Sequence, residues 1–442
     1  MGCRLNLAEG ESIRALLAGR DTIVVNSCAV TNEAIKQTRQ AIRRARRERP
    51  EAELVVTGCA AQIDPASFAA MPEVNRVIGN ADKLRAEAWE TYDEVLVQDI
   101  MAVRETAPHL AASFSTHARA FVEVQNGCDH RCTFCAIPYG RGNSRSVPAG
   151  AVIDRIAALA ENHAEIVLTG VDLTSYGPDL PGAPSLGQLV ERILAHVPRL
   201  QRLRLSSLDG VEIDDRLFAL LTQELRLQPH IHLSLQAGDD MVLKRMKRRH
   251  SRAESIALVE RLKQARSDIA IGADLIAGFP TEDEAMFANT LALIDDCDLV
   301  HTHIFPYSPR AGTPAARMPQ VSPAIVKARA ARLREAATAR RSRWLQSLIG
   351  SEQQVLVERP GDRGHAGNFA EVRFPDQEIG SIVQVTITGV SKYGLTAVPM
   401  RHPGLVPGST ARRDGGFEPL ASPSRHSGPR HKAGVTDLGL TE

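Results

Sequence analysis

From about residue 118 to residue 305, short apolar runs rich in β-branched residues alternate with longer helical stretches. Alternation of strand and helix predicts a parallel sheet with right-handed crossovers. Six such repeats over roughly 185 residues fit an α/β barrel, complete or open, better than a sandwich. Strands are predicted at residues 120–125, 166–169, 202–206, 231–235, 270–276 and 299–305, and helices between them at 186–196, 213–225, 253–265 and 284–295.

The first ninety residues show a shorter version of the same alternation. A charged surface helix is predicted at residues 32–49, and strands are predicted at 22–26, 54–57 and 76–79. This pattern again favours a parallel sheet. We therefore assign residues 1–110 to an amino-terminal α/β domain and residues 118–345 to the barrel domain.

The carboxy-terminal part of the chain changes character. Residues 322–348 form a helical, arginine-rich connector, and residues 350–400 alternate apolar and polar side chains between glycine-rich turns. That alternation predicts a small all-β barrel. Residues 401–442 are rich in Pro, Gly, Ser, Arg and His without periodicity, which predicts a disordered tail; a misplaced stop codon could also produce one.

Composition excludes several classes of protein. The chain has 442 residues, 53 Lys+Arg against 52 Asp+Glu and 43% hydrophobic residues, which is the balance of a folded globular protein. No run approaches the ~18 apolar residues that a membrane span requires, and no signal-peptide pattern opens the chain. Seven cysteines, an odd number, argue against a disulfide framework. We expect a cytoplasmic protein with reduced thiols.

Three cysteines of the first domain are separated by about the length of one βα unit. Cys28 and Cys59 each follow a predicted strand, and Cys3 lies 25 residues before Cys28. Cys3 would therefore follow an earlier strand, which this sequence does not contain. Ligand sites in parallel sheets lie beyond the carboxyl ends of the strands, so these three thiols are expected to meet in space.

Three further cysteines follow the first barrel strand with the spacing C-x3-C-x2-C: Cys128, Cys132 and Cys135. Three thiolates on one loop can hold three irons of a [4Fe-4S] cluster and leave the fourth iron open to another ligand. His130 lies inside the motif, so a structural zinc site is one alternative, and three unrelated core thiols are the other. Cys297 matches neither set and is predicted to be a buried, unreactive thiol.

The C-x3-C-x2-C motif after the first barrel strand is typical of radical S-adenosylmethionine (SAM) enzymes, and the wider chain resembles their methylthiotransferase family. Residues 350–400 are similar to the RNA-binding TRAM barrel of that family. The resemblance extends from residue 2 to about residue 400. It rests on the segments Gly2–Asn6, Val25–Thr31, Val56–Gln62, Gln125–Gly142, His232–Gly238 and Gly272–Pro280.

The resemblance implies an α/β fold made of a parallel amino-terminal domain, a (βα)6 radical SAM partial barrel and a TRAM-like β-barrel. It also implies two [4Fe-4S] clusters. Cys128, Cys132 and Cys135, here called the radical cysteines, would hold the cluster that binds and reductively cleaves S-adenosyl-L-methionine. The auxiliary cysteines Cys3, Cys28 and Cys59 would hold the second cluster, which carries sulfur. The resulting 5′-deoxyadenosyl radical would remove a hydrogen atom from an unactivated carbon, where a methylthio group is inserted.

The resemblance further implies contacts between SAM and residues near the barrel strand ends. Gly170 and Asp172 are expected near the methionyl amino group, and Ser206 and Gln236 toward the ribose and carboxylate. Arg145 is expected to bind the carboxylate, since a guanidinium suits bidentate contact. Packing within the protein is the alternative for each of these five residues.

The sequence departs from the family pattern in three places. A strand expected before Gly2 is absent, so either translation begins upstream or the strand that would place Cys3 is missing. The family's H-L-P-L-Q-S-G-S-D reads His-Leu-Ser-Leu-Gln-Ala-Gly-Asp-Asp at residues 232–240, and its F-P-G-E-T reads Phe-Pro-Thr-Glu-Asp at 279–283. We expect the two motif changes to adjust contacts without abolishing the chemistry.

Three segments are rich in basic residues. Lys and Arg outnumber acidic residues by seven to three in 32–51, six to two in 238–252 and seven to one in 324–344. Such segments contact phosphate backbones or form ordinary solvated helix faces. Residues 350–400, by contrast, carry six acidic and four basic residues, which is unfavourable for RNA binding.

The segments Phe305–Met318, Asn26–Thr31 and Arg39–Arg44 resemble the family branch that modifies N6-threonylcarbamoyladenosine at position 37 of tRNA. We therefore expect an enzyme, a transferase that inserts a methylthio group at C2 of that nucleoside. Its partners would be tRNA, SAM and an electron donor such as flavodoxin or ferredoxin, with no membrane association. The alternatives are the same chemistry on isopentenyladenosine 37 or a ribosomal protein aspartate, and a non-catalytic iron–sulfur or zinc RNA-binding protein.

Overall fold

A computed structural model of the protein describes residues 4–104 and 117–400, with the side chain of Arg4 excepted. Cys3 and the predicted tail at 401–442 lie outside the described residues. No helix in the described ranges combines the length and the apolar character that crossing a membrane requires.

The amino-terminal domain contains a four-stranded parallel sheet in the order β1-β2-β3-β4, as the alternation predicted. Val25, Leu54, Val56 and Val77 contribute to its buried core, which packs against the helices. The elements are α1 (Arg4–Leu16), β1 (Thr22–Ser27), α2 (Asn32–Glu48), β2 (Glu53–Gly58), α3 (Cys59–Ile63), α4 (Pro65–Ala69), β3 (Arg76–Ile78) and β4 (Val95–Leu96), with a 3-10 helix at Ala86–Trp89.

The second domain alternates strand and helix from β5 to β12, and each of the six predicted barrel strands is present. Parallel pairing between neighbouring strands confirms the predicted α/β class. The elements are β5 (Arg119–Asn126), α5 (Ile137–Arg141), β6 (Arg145–Ser146), α6 (Ala149–Ala160), β7 (Glu165–Gly170), α7 (Leu186–His196), β8 (Arg202–Leu205), β9 (Ser207–Leu208), α8 (Asp215–Gln223), β10 (His230–Gln236), α9 (Asp240–Met246), α10 (Arg252–Ala265), β11 (Ala270–Ala277), α11 (Glu284–Asp296) and β12 (Leu299–Pro306).

The third barrel strand is interrupted at Ser206, which the apolar pattern of 202–206 does not reveal. β8 before the break pairs with β7, whereas β9 after it pairs with β10. The strands therefore form two sheets, in the orders β6-β5-β7-β8 and β12-β11-β10-β9. An isolated parallel bridge between Leu203 and Leu227 links β8 to the residues before β10. The two sheets of the barrel therefore meet at this interrupted strand.

Local sequence signals determine where the barrel helices begin. Ser185 and Gln188 form a capping box at the start of α7, and Ser251 and Glu254 form another at the start of α10. Each box satisfies backbone N–H groups that have no partner within the helix. Along α7, buried apolar residues at helical spacing face the barrel strands. Cys297 caps α11 and is fully buried, as predicted.

The base of the barrel, where the strands begin, is filled by one carboxylate and three guanidinium groups. Glu165 is 0% exposed. Its Oε1 lies 2.9 Å from Arg119 Nε and 2.8 Å from Arg204 Nε, and its Oε2 lies 3.6 Å from Arg202 Nη1. Burial alone would raise the pKa of Glu165, but these three cations hold it at about 2. The carboxylate is therefore ionised at neutral pH.

The carboxy-terminal module is a closed five-stranded barrel in the order β13-β14-β15-β17-β16, which confirms the predicted all-β barrel. Arg204 donates to the carbonyls of Gly367 and Ala366, both at 2.8 Å, and Phe369 stacks on His230 with ring centroids 5.0 Å apart. The module thus covers the base of the α/β barrel. Its elements follow α12 (Pro323–Ser347) and are β13 (Glu352–Glu358), β14 (Arg363–Ala366), β15 (Glu371–Arg373), β16 (Ile382–Ser391) and β17 (Gly394–Pro399).

The Glu165→Gln substitution should lower the free energy of unfolding by about 3 kcal/mol at pH 7, because it leaves buried arginines without their counter-charge. The contribution of Glu165 should be lost as the pH falls from about 4.5 through about 2, since its folded-state pKa is depressed. Urea titration at several pH values measures both effects. As a control, Glu161→Gln removes an exposed ion pair with Arg199 and should cost less than about 1 kcal/mol. Equal losses for the two variants would contradict this account.

Candidate metal centre

The radical loop, residues 127–142, leaves β5 through a turn that only glycine permits. Gly127 has φ +72°, and a Cβ at this position would lie 1.9 Å from the carbonyl oxygen of Asn143. The close approach allows the Cys128 N–H to donate to the Gly142 carbonyl at 3.1 Å. The first radical cysteine is therefore held against the far end of its own loop.

Backbone groups from distant elements hold the middle of the radical loop. The Thr133 N–H donates to the Met246 carbonyl at 3.1 Å, and its hydroxyl donates to the Arg245 carbonyl at 2.8 Å. The Ala315 N–H in turn donates to the Thr133 carbonyl at 3.0 Å. The loop that carries the radical cysteines is thus fixed by the end of α9 and by the segment after β12.

The radical cysteines are half-buried. Burial raises the pKa of Cys135 to about 12 and, with the Asp172 carboxylate nearby, raises the pKa of Cys128 well above its usual range. The Cys128 thiol donates to Asp172 Oδ2 at 3.5 Å, and Arg248 Nη1 lies 3.7 Å from Cys132 Sγ. Thiols of this kind ionise when positive metal ions bind them, as metal binding releases protons.

The positions of the ligand atoms argue against a single zinc ion held by the three radical cysteines. Among the described residues, two groups have ligand atoms within 4.8 Å of one another: Cys128 with His130 and Asp172, and His232 with Asp274 and His303. The three radical cysteines do not form such a group, whereas three thiolates on one zinc ion, each at ~2.3 Å, would. In the group that includes Cys128, His130 is bound to Asp172, with Nε2 2.9 Å from Oδ2. A [4Fe-4S] cluster, which binds each thiolate through a separate iron, stays the prediction for the three cysteines.

Two of the residues predicted to contact SAM lie at the end of β7, next to the radical loop. Gly170 packs against β5, where a Cβ would lie 3.0 Å from Gln125 Oε1. The Asp172 N–H donates to that same oxygen at 2.8 Å. Burial alone would raise the pKa of Asp172, but hydrogen bonds from His130 and Ser175 hold it below its usual value. An ionised carboxylate therefore stands beside Cys128.

Ser206 and Gln236, also predicted to contact SAM, lie at irregular points of the barrel strands. Ser206 occupies the break between β8 and β9, is 7% exposed, and its hydroxyl has no hydrogen-bond partner among the described residues. Gln236 ends β10 with φ +69°, a rare conformation for a residue with a side chain. A buried hydroxyl without a protein partner is suited to a ligand.

Arg145, the predicted partner of the SAM carboxylate, contacts the radical loop itself. Its Nη1 donates to the Asn143 carbonyl at 2.8 Å and its Nη2 to the Arg141 carbonyl at 3.0 Å. In this arrangement the guanidinium holds the end of the loop. Arg145 Nε has no hydrogen-bond partner among the described residues, and each terminal nitrogen carries a second N–H, so the contact with the SAM carboxylate stays a prediction.

The two described auxiliary cysteines lie side by side at the carboxyl edge of the amino-terminal sheet. Ser27 and Gly58 are register partners in β1 and β2, and Cys28 and Cys59 follow them directly. Gly58 has φ +94°, and a Cβ there would lie 2.3 Å from the Ser27 carbonyl oxygen. The tight approach of the two strand ends therefore depends on this glycine. Cys3, the third predicted auxiliary ligand, lies outside the described residues.

Cys59 faces the radical loop. A Cβ on Gly140 would lie 3.0 Å from Cys59 Cβ, so helices α3 and α5 approach closely at this glycine. Arg141 Nε donates to Cys59 Sγ at 3.0 Å. Cys59 is also near enough to contribute to the raised pKa of Cys135. The structure thus brings cysteines of both predicted sets to one interface between the domains.

Sequence reasoning missed several polar residues of the barrel. Arg248 Nη2 donates to Asp209 Oδ2 at 2.9 Å and to the Ser234 carbonyl at 2.8 Å. The only sequence signal that pointed to Arg248 was its place in the basic segment 238–252. His232 Nε2 and His303 Nδ1 each lie 3.0 Å from Asp274 Oδ1, on three neighbouring strands. No spacing along the chain indicates that group, because the three residues are widely separated.

Two family models match parts of the chain, and a solved structure resembles part of its fold. Residues 122–294 match the Radical SAM superfamily, and residues 1–79 match the Uncharacterized protein family UPF0004. The solved structure of the radical S-adenosylmethionine methyltransferase TsrM from Kitasatospora setae, with cobalamin and a [4Fe-4S] cluster bound, aligns with a TM-score of 0.49 and 17% identity, over 69% of this chain and 68% of that one.

Two curated relatives align along most of their length. The threonylcarbamoyladenosine tRNA methylthiotransferase MtaB of Rickettsia prowazekii is 47% identical over 397 residues, which cover 88% of this chain and 94% of the relative. The protein of the same name from Aquifex aeolicus is 33% identical over 407 residues, covering 88% and 98%. The chain therefore belongs to the radical SAM methylthiotransferase family, as its cysteine motifs indicated.

Proposed function

We propose that this protein inserts a methylthio group at C2 of N6-threonylcarbamoyladenosine at position 37 of tRNA. The observation that carries the proposal is the 47% identity, over 88% of the chain, to a relative named for that activity. The interface between Cys59 and the radical loop supports it, since sulfur insertion requires a sulfur source next to the site where the substrate radical forms.

The residues at the barrel edge fit a radical SAM site. Cys128, Cys132 and Cys135 would hold a [4Fe-4S] cluster, which when bound supplies the electron that cleaves the sulfonium of SAM. Asp172 offers an ionised carboxylate to the methionyl amino group, and the Ser206 hydroxyl is available to a polar group of the cofactor. The fixed loop and the surrounding strands keep these groups in place and exclude water.

The second cluster would be held by Cys28 and Cys59 together with Cys3. Cys28 and Cys59 follow adjacent strand ends, so their side chains are close enough in the fold to be considered ligands of the same cluster. The sulfur to be methylated and transferred would be carried there, beside the radical loop. An electron donor such as flavodoxin or ferredoxin would reduce the radical cluster, and the enzyme would act on tRNA in the cytoplasm.

The basic segments offer less charge to tRNA than their composition suggests. In α12, Arg329 pairs with Glu282, Arg340 with Asp298 and Arg343 with Asp295. In the segment 238–252, Arg248 and Arg249 both pair with Asp209. Most of these arginines therefore stabilise the fold, and the tRNA contacts must involve other groups as well.

The hairpin of β16 and β17 offers such a contact. Tyr393 at its tip is 51% exposed. Arg373 lies over its ring at 4.2 Å from the centroid, and Lys392 lies 4.7 Å from it. An exposed aromatic ring flanked by cations suits stacking on a nucleobase beside a phosphate.

Deletion of the gene should remove 2-methylthio-N6-threonylcarbamoyladenosine from cellular tRNA and let the unthiolated nucleoside accumulate. Mass spectrometry of tRNA nucleosides measures both, and complementation with the gene should restore the product. Loss of the methylthio derivative of isopentenyladenosine would show that isopentenyladenosine 37 is the substrate instead. An unchanged nucleoside profile would contradict a tRNA substrate and direct attention to a ribosomal protein.

Replacing the radical cysteines by Ala should abolish 5′-deoxyadenosine formation by the reconstituted, reduced protein. Cys28→Ala or Cys59→Ala should stop methylthiolation yet leave cofactor cleavage, because only the sulfur-carrying site is lost. Chromatographic assay of 5′-deoxyadenosine and of modified tRNA separates the two. Cys297→Ala, a buried cysteine outside both sets, is the matched control and should keep both activities. Cofactor cleavage without the radical cysteines would indicate a different site.

The Tyr393→Ala substitution should weaken tRNA binding about tenfold, since stacking on one base contributes ~1–3 kcal/mol. Fluorescence anisotropy with labelled tRNA at fixed salt measures the affinity. Tyr92→Ala is the control, because Tyr92 is 98% exposed on the amino-terminal domain and has no neighbouring cation over its ring among the described residues. Equal affinities for wild type and Tyr393→Ala would exclude the hairpin from the interface.

A further inference from the structure

A buried charged group joins the two domains behind Cys59. Glu9 of α1, Lys83 and Arg141 of α5 are each no more than 2% exposed. Lys83 Nζ lies 2.6 Å from Glu9 Oε2, and Arg141 Nη2 donates to that oxygen at 3.0 Å and to Asn6 Oδ1 at 2.7 Å. Burying charges costs stability even when they are paired, and two cations on one carboxylate leave a net charge of +1 on these three side chains, so the arrangement requires a reason beyond stability.

The position of Cys59 supplies that reason. One carboxylate, Glu9, is shared by two cations, and the remaining Arg141 nitrogen, Nε, is directed at Cys59 Sγ 3.0 Å away. Asn80 Nδ2 lies 3.8 Å from the same sulfur. A [4Fe-4S] cluster held by three thiolates carries net negative charge, which the shared cations would balance. Hydrogen bonds to ligand sulfurs also tune a cluster's reduction potential.

Arg141 also belongs to the radical loop. It lies six residues after Cys135, and its carbonyl accepts the Arg145 Nη2 bond that holds the end of the loop. Gly140 beside it contacts Cys59 directly. One side chain therefore links the sulfur of the auxiliary site to the segment that carries the radical cysteines.

Arg310 makes a comparable contact on the Cys28 side. This buried side chain follows β12 and binds the carbonyl of Ala29, the residue after Cys28, and Oδ1 of Asn32. Both described auxiliary cysteines thus have a buried arginine of the barrel domain beside them. The amino-terminal domain alone lacks these groups.

We propose that Arg141 is a positioning residue of the auxiliary site: through its bond to the Cys59 sulfur it raises the reduction potential of the auxiliary cluster and holds that cluster against the radical loop. This inference rests on the auxiliary cluster of the proposed function. It adds that a residue of the barrel domain, and not the amino-terminal domain alone, determines the reduction potential and the position of the auxiliary cluster.

The test uses the full-length protein with Cys128, Cys132 and Cys135 replaced by Ala, so that only an auxiliary cluster assembles on anaerobic reconstitution. Iron content and a redox titration followed by electron paramagnetic resonance are measured with Arg141 present, and in Arg141→Met and Arg141→Lys. The Met variant has neither a charge nor an N–H donor and should show the lowest potential. The Lys variant keeps the charge but loses the Nε bond, so its potential should lie between the other two.

Arg329→Met is the matched control, because Arg329 is a buried arginine that pairs with Glu282 away from the cysteines; it should leave the potential unchanged. A cluster of full iron content whose potential does not move in Arg141→Met would contradict the proposed role of Arg141 and leave the auxiliary cluster standing. A parent protein that binds no iron would overturn the auxiliary cluster and this inference with it. If Arg141→Met does not fold, a Lys variant with the parent's potential overturns the proposal.

Discussion

Parallel strands present all their carboxyl ends at one edge of a sheet, and the functional centre of this protein depends on that constraint twice. In the amino-terminal domain it places Cys28 beside Cys59, although 31 residues separate them. In the barrel it places the radical loop beside Asp172. The two edges meet at Gly140, where the absence of a side chain permits contact with Cys59. The centre is therefore an interface between two sheets.

Buried arginines hold the domains together at both ends of the barrel. Arg141 and Arg310 reach from the barrel domain to the cysteine-bearing edge, while Arg204 and Arg202 bind backbone carbonyls of the β-module at the base. A guanidinium has several donors in a rigid plane, so it can satisfy backbone and side-chain acceptors from two domains at once. Such contacts fix the relative orientation of the domains, which the proposed sulfur transfer from an auxiliary cluster would require.

Much of the fold was predictable because its signals are local. The six barrel strands, the helix that starts after Ser185 and the closed β-barrel all follow from periodicity, capping residues and turns. The break at Ser206 was not predictable, since it depends on which neighbour each half of the strand pairs with. Nor does the sequence show that Arg145 binds two backbone carbonyls at the end of the radical loop, because that contact depends on how the loop folds back on itself.

The sequence by itself determined which chemistry this protein can perform. Cysteine spacing and strand-end position specify thiolate ligands, because a metal site needs particular donor atoms at particular intervals along a loop or sheet. Only the tertiary structure decided what surrounds those sulfurs. Arg141, Arg248 and Asp172 reach the thiols from other elements, and no local pattern records such long-range pairings. The identity and spacing of the candidate metal ligands are visible in the sequence, whereas the electrostatic environment of their sulfurs arises from the packing of one domain against another.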